Sequence, residues 1–233
     1  MKSGRQVHVQ GIKRSLLLLI ALIFFISVAY QQIKPEPQAP SSPSVPQKEM
    51  AYAFDSKPSN PKPKTKAELQ REKESREAFM VAYTVFMHPR CMNCHPNGDT
   101  PLQGEDSHLH TQGVTRGPDG KGLYALKCKN CHQDNNIAGL NMPPGQPNWQ
   151  MPPAHLKMIF QDKSPRQLAL HFKESKFTGF KNLEQMIEHV EKEPLVLSCW
   201  HPAQGLTTPP ISHDEFVAKV KEWIEKGAAI PVN

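Results

Sequence analysis

Apolar residues are unevenly spread along this chain, and the spacing between them changes in kind from one end to the other. Residues 16–29 (LLLLIALIFFISVA) form one uncharged run without a polar face, preceded by Lys2, Arg5, Lys13 and Arg14, which is the pattern of an export or membrane segment. Residues 33–64 have almost no apolar pattern and are rich in Pro, Ser and Lys, as in a disordered, partly polyproline-like spacer. From Thr65 onward apolar positions recur at helical intervals. Leu69, Phe79, Met80, Tyr83, Val85 and Phe86 predict a helix with one apolar face in its second half, opened by a Thr65/Glu68 capping box and closed by Pro89. Three shorter helices are expected later. Ser164-Pro165-Arg166-Gln167 opens the first, which carries Leu168 and Phe172, and Asn182 opens the second, with Leu183, Met186, Ile187 and Val190. Ser212 opens the third, with Phe216, Val217, Val220, Trp223 and Ile224, and Gly227 ends it. Residues 96–122 and 135–153 are Pro- and Gly-rich loops, and no strand alternation competes. The expectation is an all-α domain with long loops over residues 65–233, behind a hydrophobic N-terminal helix (1–30) and a disordered linker (31–64).

The apolar run is long for a signal-peptide core and short for a membrane span. Ser27-Val28-Ala29 offers the small residues a signal peptidase accepts, whereas snorkelling Lys13 and Arg14, with Tyr30 at the far interface, suit a retained anchor. The long tether that follows favours the anchor, and both readings export the rest of the chain. Charge supports the same division. The net +6 lies entirely in residues 1–64, with nine Lys and Arg against three Asp and Glu, leaving nineteen of each from residue 65 onward. A neutral domain removes the electrostatic case for a nucleic-acid partner.

The chemistry sits in the loops. CMNCH at residues 91–95 and CKNCH at 128–132 use four of the five cysteines and place a histidine directly after each pair. Two thiols separated by two residues can add to the two vinyl groups on one porphyrin edge, and the histidine that follows is then held under the iron; this is the attachment signature of haem c, written twice. Cys91 and Cys94 are expected to carry one haem with His95 as proximal ligand, and Cys128 and Cys131 a second with His132. A zinc ribbon would place its knuckles about 15 to 20 residues apart and has no need of the histidines, while a redox dithiol would want a βαβ pattern that is missing here. Only 38% of the chain is hydrophobic, so two apolar porphyrin plates would also help a small domain to fold. Haem c thioethers are formed outside the bacterial cytoplasm, in keeping with the export segment.

The other face of each iron separates a carrier from an enzyme, because two strong axial ligands favour electron transfer and an open position permits peroxide or small-gas chemistry. His110, in the loop between the motifs, and His189, near the end of the second short helix, are the candidate distal ligands. Met142 and Met151, each followed by two prolines, are the alternatives. His88 stands just before its own motif and could reach only the other haem, His108 shares the loop of His110, and His213 lies in a capping sequence and reads as structural. Cys199, outside any C-x-x-C-H, reads as a buried small apolar residue, with a link between chains or an approach to an iron left open.

The runs HPRCMNCHPNGDTPLQGEDSHLH (88–110), RGPDG (116–120), CKNCHQD (128–134), PLV (194–196) and SHDEFVAKVKEWIEKGA (212–228) resemble one family. It is that of small exported dihaem c-type cytochromes, sometimes labelled cytochrome subunits of isoquinoline 1-oxidoreductase, a molybdenum hydroxylase. The likeness spans residues 88–229, and the family pattern also has histidines where His88, His110, His189 and His213 stand; this chain departs from it near Cys199 and around His171. The resemblance implies an electron carrier and not an enzyme, with a cytochrome c-like domain in the periplasm, tethered to the inner membrane if the N-terminal helix is uncleaved. Its partners would be a donor dehydrogenase or molybdenum hydroxylase and a respiratory acceptor. The rival is a dihaem peroxidase with one labile or open axial position, for which no acid–base pair stands out.

Overall fold

The computed structural model describes residues 63–232, which lie within the unit Asn60–Asn233. The export segment expected at 1–30, and all but the last two residues of the linker expected at 31–64, lie outside the described residues. Among the described residues no helix is long and apolar enough to cross a membrane.

Helix α1 (Lys66–Phe86) starts where the sequence signals it. The Thr65 hydroxyl accepts from Glu68 N–H at 3.2 Å, and the Glu68 carboxylate accepts from Thr65 N–H at 2.7 Å, so two otherwise orphaned donors are satisfied reciprocally. Its buried face is Ser75, Ala78, Phe79, Ala82, Val85 and Phe86, whereas Leu69 and Met80, expected on that face, are exposed. Ala78 and Ala82 take the inner positions because α1 packs chiefly against a second helix, α7 (His213–Glu225), and short side chains let the two approach. Ser75, with no exposed surface, donates its hydroxyl to the Trp223 carbonyl (2.7 Å) and accepts from Ala229 N–H (3.0 Å), tying α1 to the end of α7. Pro89 cannot extend α1. It becomes instead the first residue of α2 (Pro89–Met92), which His88 caps by accepting Arg90 N–H on Nδ1 (3.3 Å).

The three later helices form with the caps expected of them. They are α3 (Pro165–Phe172) on Ser164, α5 (Leu183–Lys192) on Asn182, and α7 on Ser212. Two single turns, α4 (Ser175–Thr178) and α6 (Pro194–Leu197), and 3₁₀ turns at Cys128–Asn130 and Ser198–Trp200 carry too little periodicity to be read in advance. The core is aromatic. Phe79 meets Trp223 with ring centres 4.8 Å apart, and Phe86 touches Phe172 (4.9 Å), Phe216 (5.3 Å) and Phe160 (5.6 Å). His213 is structural, as expected, with Nε2 2.8 Å from the Val190 carbonyl.

The all-α expectation holds for the core and is corrected in the loops. Strand β1 (Leu102–Gln103) pairs antiparallel with β2 (His108–Leu109), and β3 (Gly122–Leu123) with β4 (Leu126–Lys127). Two-residue strands are too short to leave an alternation in the sequence, and their turns depend on positive φ at Gly104, Ser107 and Tyr124.

Candidate functional site

Both C-x-x-C-H motifs close a helical turn, though with different bonds. In the first, running on from α2, Cys94 N–H bonds to the Cys91 carbonyl (3.2 Å) and His95 N–H to that of Met92 (2.9 Å). In the second, Cys131 and His132 both donate to the Cys128 carbonyl, at 3.2 and 2.9 Å. A single helical turn thus puts two thiols and an imidazole on one side of the backbone.

The two histidines are held alike by unrelated segments. His95 donates Nδ1–H to the Met158 carbonyl at 2.7 Å and stacks on Phe160, with ring centres 3.9 Å apart and planes 6° from parallel. His132 donates Nδ1–H to the Pro144 carbonyl at 2.7 Å and stacks on Trp149, at 4.2 Å and 6°. A carbonyl can only accept, so each bond fixes the proton on Nδ1 and turns a bare Nε2 lone pair outward, as a metal-bound histidine requires. Burial keeps both rings neutral, lowering His132 and driving His95 down to about 3.

A second histidine stands across from His132, and another lies in the neighbourhood of His95. His110, just after β2, lies with its ring centre 6.4 Å from that of His132, and its Nδ1 is buried without a partner. Metal–imidazole bonds of about 2 Å, with ring centres about 1 Å behind the ligating nitrogens, set two imidazoles on opposite faces of one ion about 6 Å apart. His189, in the last turn of α5, packs on Phe180 at 5.5 Å, is depressed by burial, and lies near enough to His95 for its charge to be felt there. Of the remaining histidines, His88 is spent on its cap, and exposed His108 binds Asp106 at 2.6 Å.

The methionine loops act through their prolines. Met142 is exposed and Met151 is buried beside the turn at Gly120, while the carbonyl of Pro144 meets His132 and that of Pro152 meets Arg116. Two glycines permit this packing. A Cβ at Gly120 (φ +81) would lie 2.0 Å from the Met151 carbonyl oxygen, and one at Gly145 would lie 2.0 Å from that of Asn135.

Cys94 is pushed up to about 12 by burial; Cys91 is raised too, first by the neighbouring Cys199 thiol and then by burial, so both are protonated thiols. Cys199, expected to be a buried apolar residue, is only partly buried and lies between Cys91 and the carbonyls of Arg90 (3.4 Å) and Leu195 (3.7 Å). The Cys128 thiol is raised by burial as well, so both motifs present protonated thiols. Their surroundings differ. The first motif borders the aromatic core through Cys91 and Phe160, while around the second Cys131, Leu109, Tyr124, Leu126, Ile137 and Leu140 are all exposed.

Arg116, Trp149 and Phe160 were not singled out as site residues by pattern. Arg116 is 0% exposed, its guanidinium donating to the carbonyls of Pro152 and Gly98 (3.0 Å), with Nε 3.3 Å from an Asp99 carboxylate oxygen. The run RGPDG was its only trace in the sequence.

These residues fit a haem c at each motif. Thiol pair and bare Nε2 share one side of a turn, a second imidazole stands 6.4 Å from that of His132, and an apolar plate at the second motif would cover hydrocarbon now facing water. A bare zinc ion fits poorly: among the described residues no three His, Cys, Asp or Glu side chains gather to hold a metal. Compared with family models, curated proteins and solved structures, the chain finds no match.

Proposed function

We propose that this chain is an exported dihaem c-type cytochrome, a carrier of single electrons and not an enzyme. The observation that carries the reading is the repetition at His95 and His132 of one arrangement, Nδ1 on a backbone carbonyl and an aromatic ring stacked on the imidazole, built from different loops. Haem c, when bound, supplies the one-electron iron couple. Cys91, Cys94, Cys128 and Cys131 would hold the two groups covalently, and His95 and His132 would ligate through Nε2. His189 and His110 would close the opposite faces, denying peroxide or small gases an open position. Met158, Pro144, Phe160 and Trp149 keep the proximal rings from turning. The N-terminal apolar run would tether the domain to the inner membrane in the periplasm, and the resemblance suggests that it takes electrons from a dehydrogenase or molybdenum hydroxylase and passes them to the respiratory chain.

The test is to express the full chain in cells that attach haem c. Two haems per chain by alkaline pyridine spectra, retained through denaturation and acid–acetone extraction, are expected. A mass equal to the bare or zinc-loaded chain defeats the reading, and a high-spin ferric haem that reacts with peroxide would move the chain to the dihaem peroxidases.

A further inference from the structure

We infer that Arg116 makes the two redox sites unequal, holding the site at His95 at the higher reduction potential, so that electrons enter and leave through the exposed site at His132 and rest at the other. The inference depends on the dihaem reading and adds a direction to it.

Among the described residues Arg116 is the one charged side chain with no exposed surface. Its backbone N–H bonds to the Asp99 carbonyl at 2.6 Å and its guanidinium to the Gly98 carbonyl, so the cation is fastened to the loop that leaves His95. The counter-ion is weak. Asp99 is 55% exposed on its side chain and is shared with Lys157 at 2.9 Å, so two positive charges answer one negative charge and the cluster keeps a net +1. Gly98 and Asp99 follow His95 by three and four residues, so that charge stands beside the first motif. Around the second motif the cations lie in reach of solvent: Lys129 pairs with Asp134 at 2.5 Å, Lys127 is exposed with its ammonium on the Gly122 carbonyl, and Cys131 and its apolar neighbours face water.

Adding an electron to an iron site lowers its positive charge. A fixed cation in a poorly polarisable surrounding favours the reduced state, and burial favours it again by penalising the more charged oxidised state. Arg116 therefore acts at the first site and not at the second, and burial, which reaches both histidines, is more complete around the first, where Cys91 borders the core while Cys131 faces solvent. The exposed site is the one a partner can approach, and the buried one is downhill from it.

The experiment is a potentiometric titration of the full-length holoprotein, wild type against Arg116→Met, Arg116→Lys and Asp99→Asn, followed by visible and electron paramagnetic resonance spectra. Wild type should give two one-electron waves, and His189→Ala should identify the higher as the His95 site by turning that component high-spin. Arg116→Met should lower the higher wave by an electron affinity of about tenfold, ~59 mV for one electron. Arg116→Lys should retain most of the gap, and Asp99→Asn, which leaves Arg116 in place, should raise the higher wave. A higher wave belonging to the His132 site overturns the inference, as do equal shifts of both waves or none in Arg116→Met and Asp99→Asn, with two haems still bound. A chain that binds no haem overturns the dihaem reading itself and this inference with it.

Discussion

His110 and His132 face one another with ring centres 6.4 Å apart and planes 60° from parallel. Neither ring reaches the other, and the Nδ1 of His110 is buried with nothing to bond. A buried ring nitrogen without a partner is costly, so His110 stands ready for one. Replacing His110 by Ala should turn one of the two haems high-spin and open it to carbon monoxide, with the other unchanged. Exogenous imidazole should restore the low-spin spectrum; two low-spin haems in the variant would place the ligand elsewhere, with Met142 or Met151 next in line.

His189 makes the matching prediction for the other site. It projects from the last turn of α5, where a histidine ordinarily answers the helix dipole and would be held protonated, yet burial depresses it. The neutral ring is available to a metal. His189→Ala should leave the His132 haem low-spin and convert the His95 haem, and combining it with His110→Ala should give two high-spin haems. Unfolding of α5 would instead show as a loss of helical circular dichroism with both haems perturbed.

Much of this was legible in the sequence because the signals were local. A capping box spans four residues, so Thr65/Glu68 and Ser164/Gln167 could be read without knowing what the helices touch. The C-x-x-C-H pentapeptide is local in the same way, and His110 stands out as a loop histidine with few bland uses, whereas His189 at a helix end has one in the helix dipole. What could not be read was long-range. Phe160 lies 65 positions after the histidine it stacks on, and the residue that receives His132 Nδ1–H gives a backbone carbonyl, which has no letter of its own. Leu69 and Met80 were placed on the buried face of α1 by size, but the close approach of α7 selected Ala78 and Ala82. Arg116 was missed because a lone arginine in a Gly-rich loop is ordinarily a surface residue.

The two stacking aromatics should differ in what they contribute. Phe160 is buried against Phe86 and Phe172 as well as His95, so Phe160→Ala removes core packing and should cost about 3–5 kcal/mol. Trp149 is only half-buried and stacks on His132 alone among the described aromatic rings, so Trp149→Ala should cost about half as much. Urea unfolding followed by far-ultraviolet circular dichroism ranks the two. Equal costs would mean that the second loop is as tightly built into the core as the first.

Asp99 gives the domain an acid limit that can be traced to one carboxylate. Its carboxyl is held below the usual aspartate range by the Lys157 hydrogen bond first, and then by the charges of Lys157 and Arg116. With the folded value below the unfolded one, the unfolded chain binds more protons in acid, so the contribution is complete above about pH 4 and is lost as pH falls through the folded value. The group is exposed enough for solvent to screen most of this effect. Asp99→Asn should therefore be less stable than wild type near neutrality, and the gap between their urea midpoints should close as the pH is lowered toward 3. Protonation of the buried histidines weakens both proteins alike and drops out of the difference; a gap that stays constant, or widens in acid, would mean that Asp99 holds its loop through shape rather than charge.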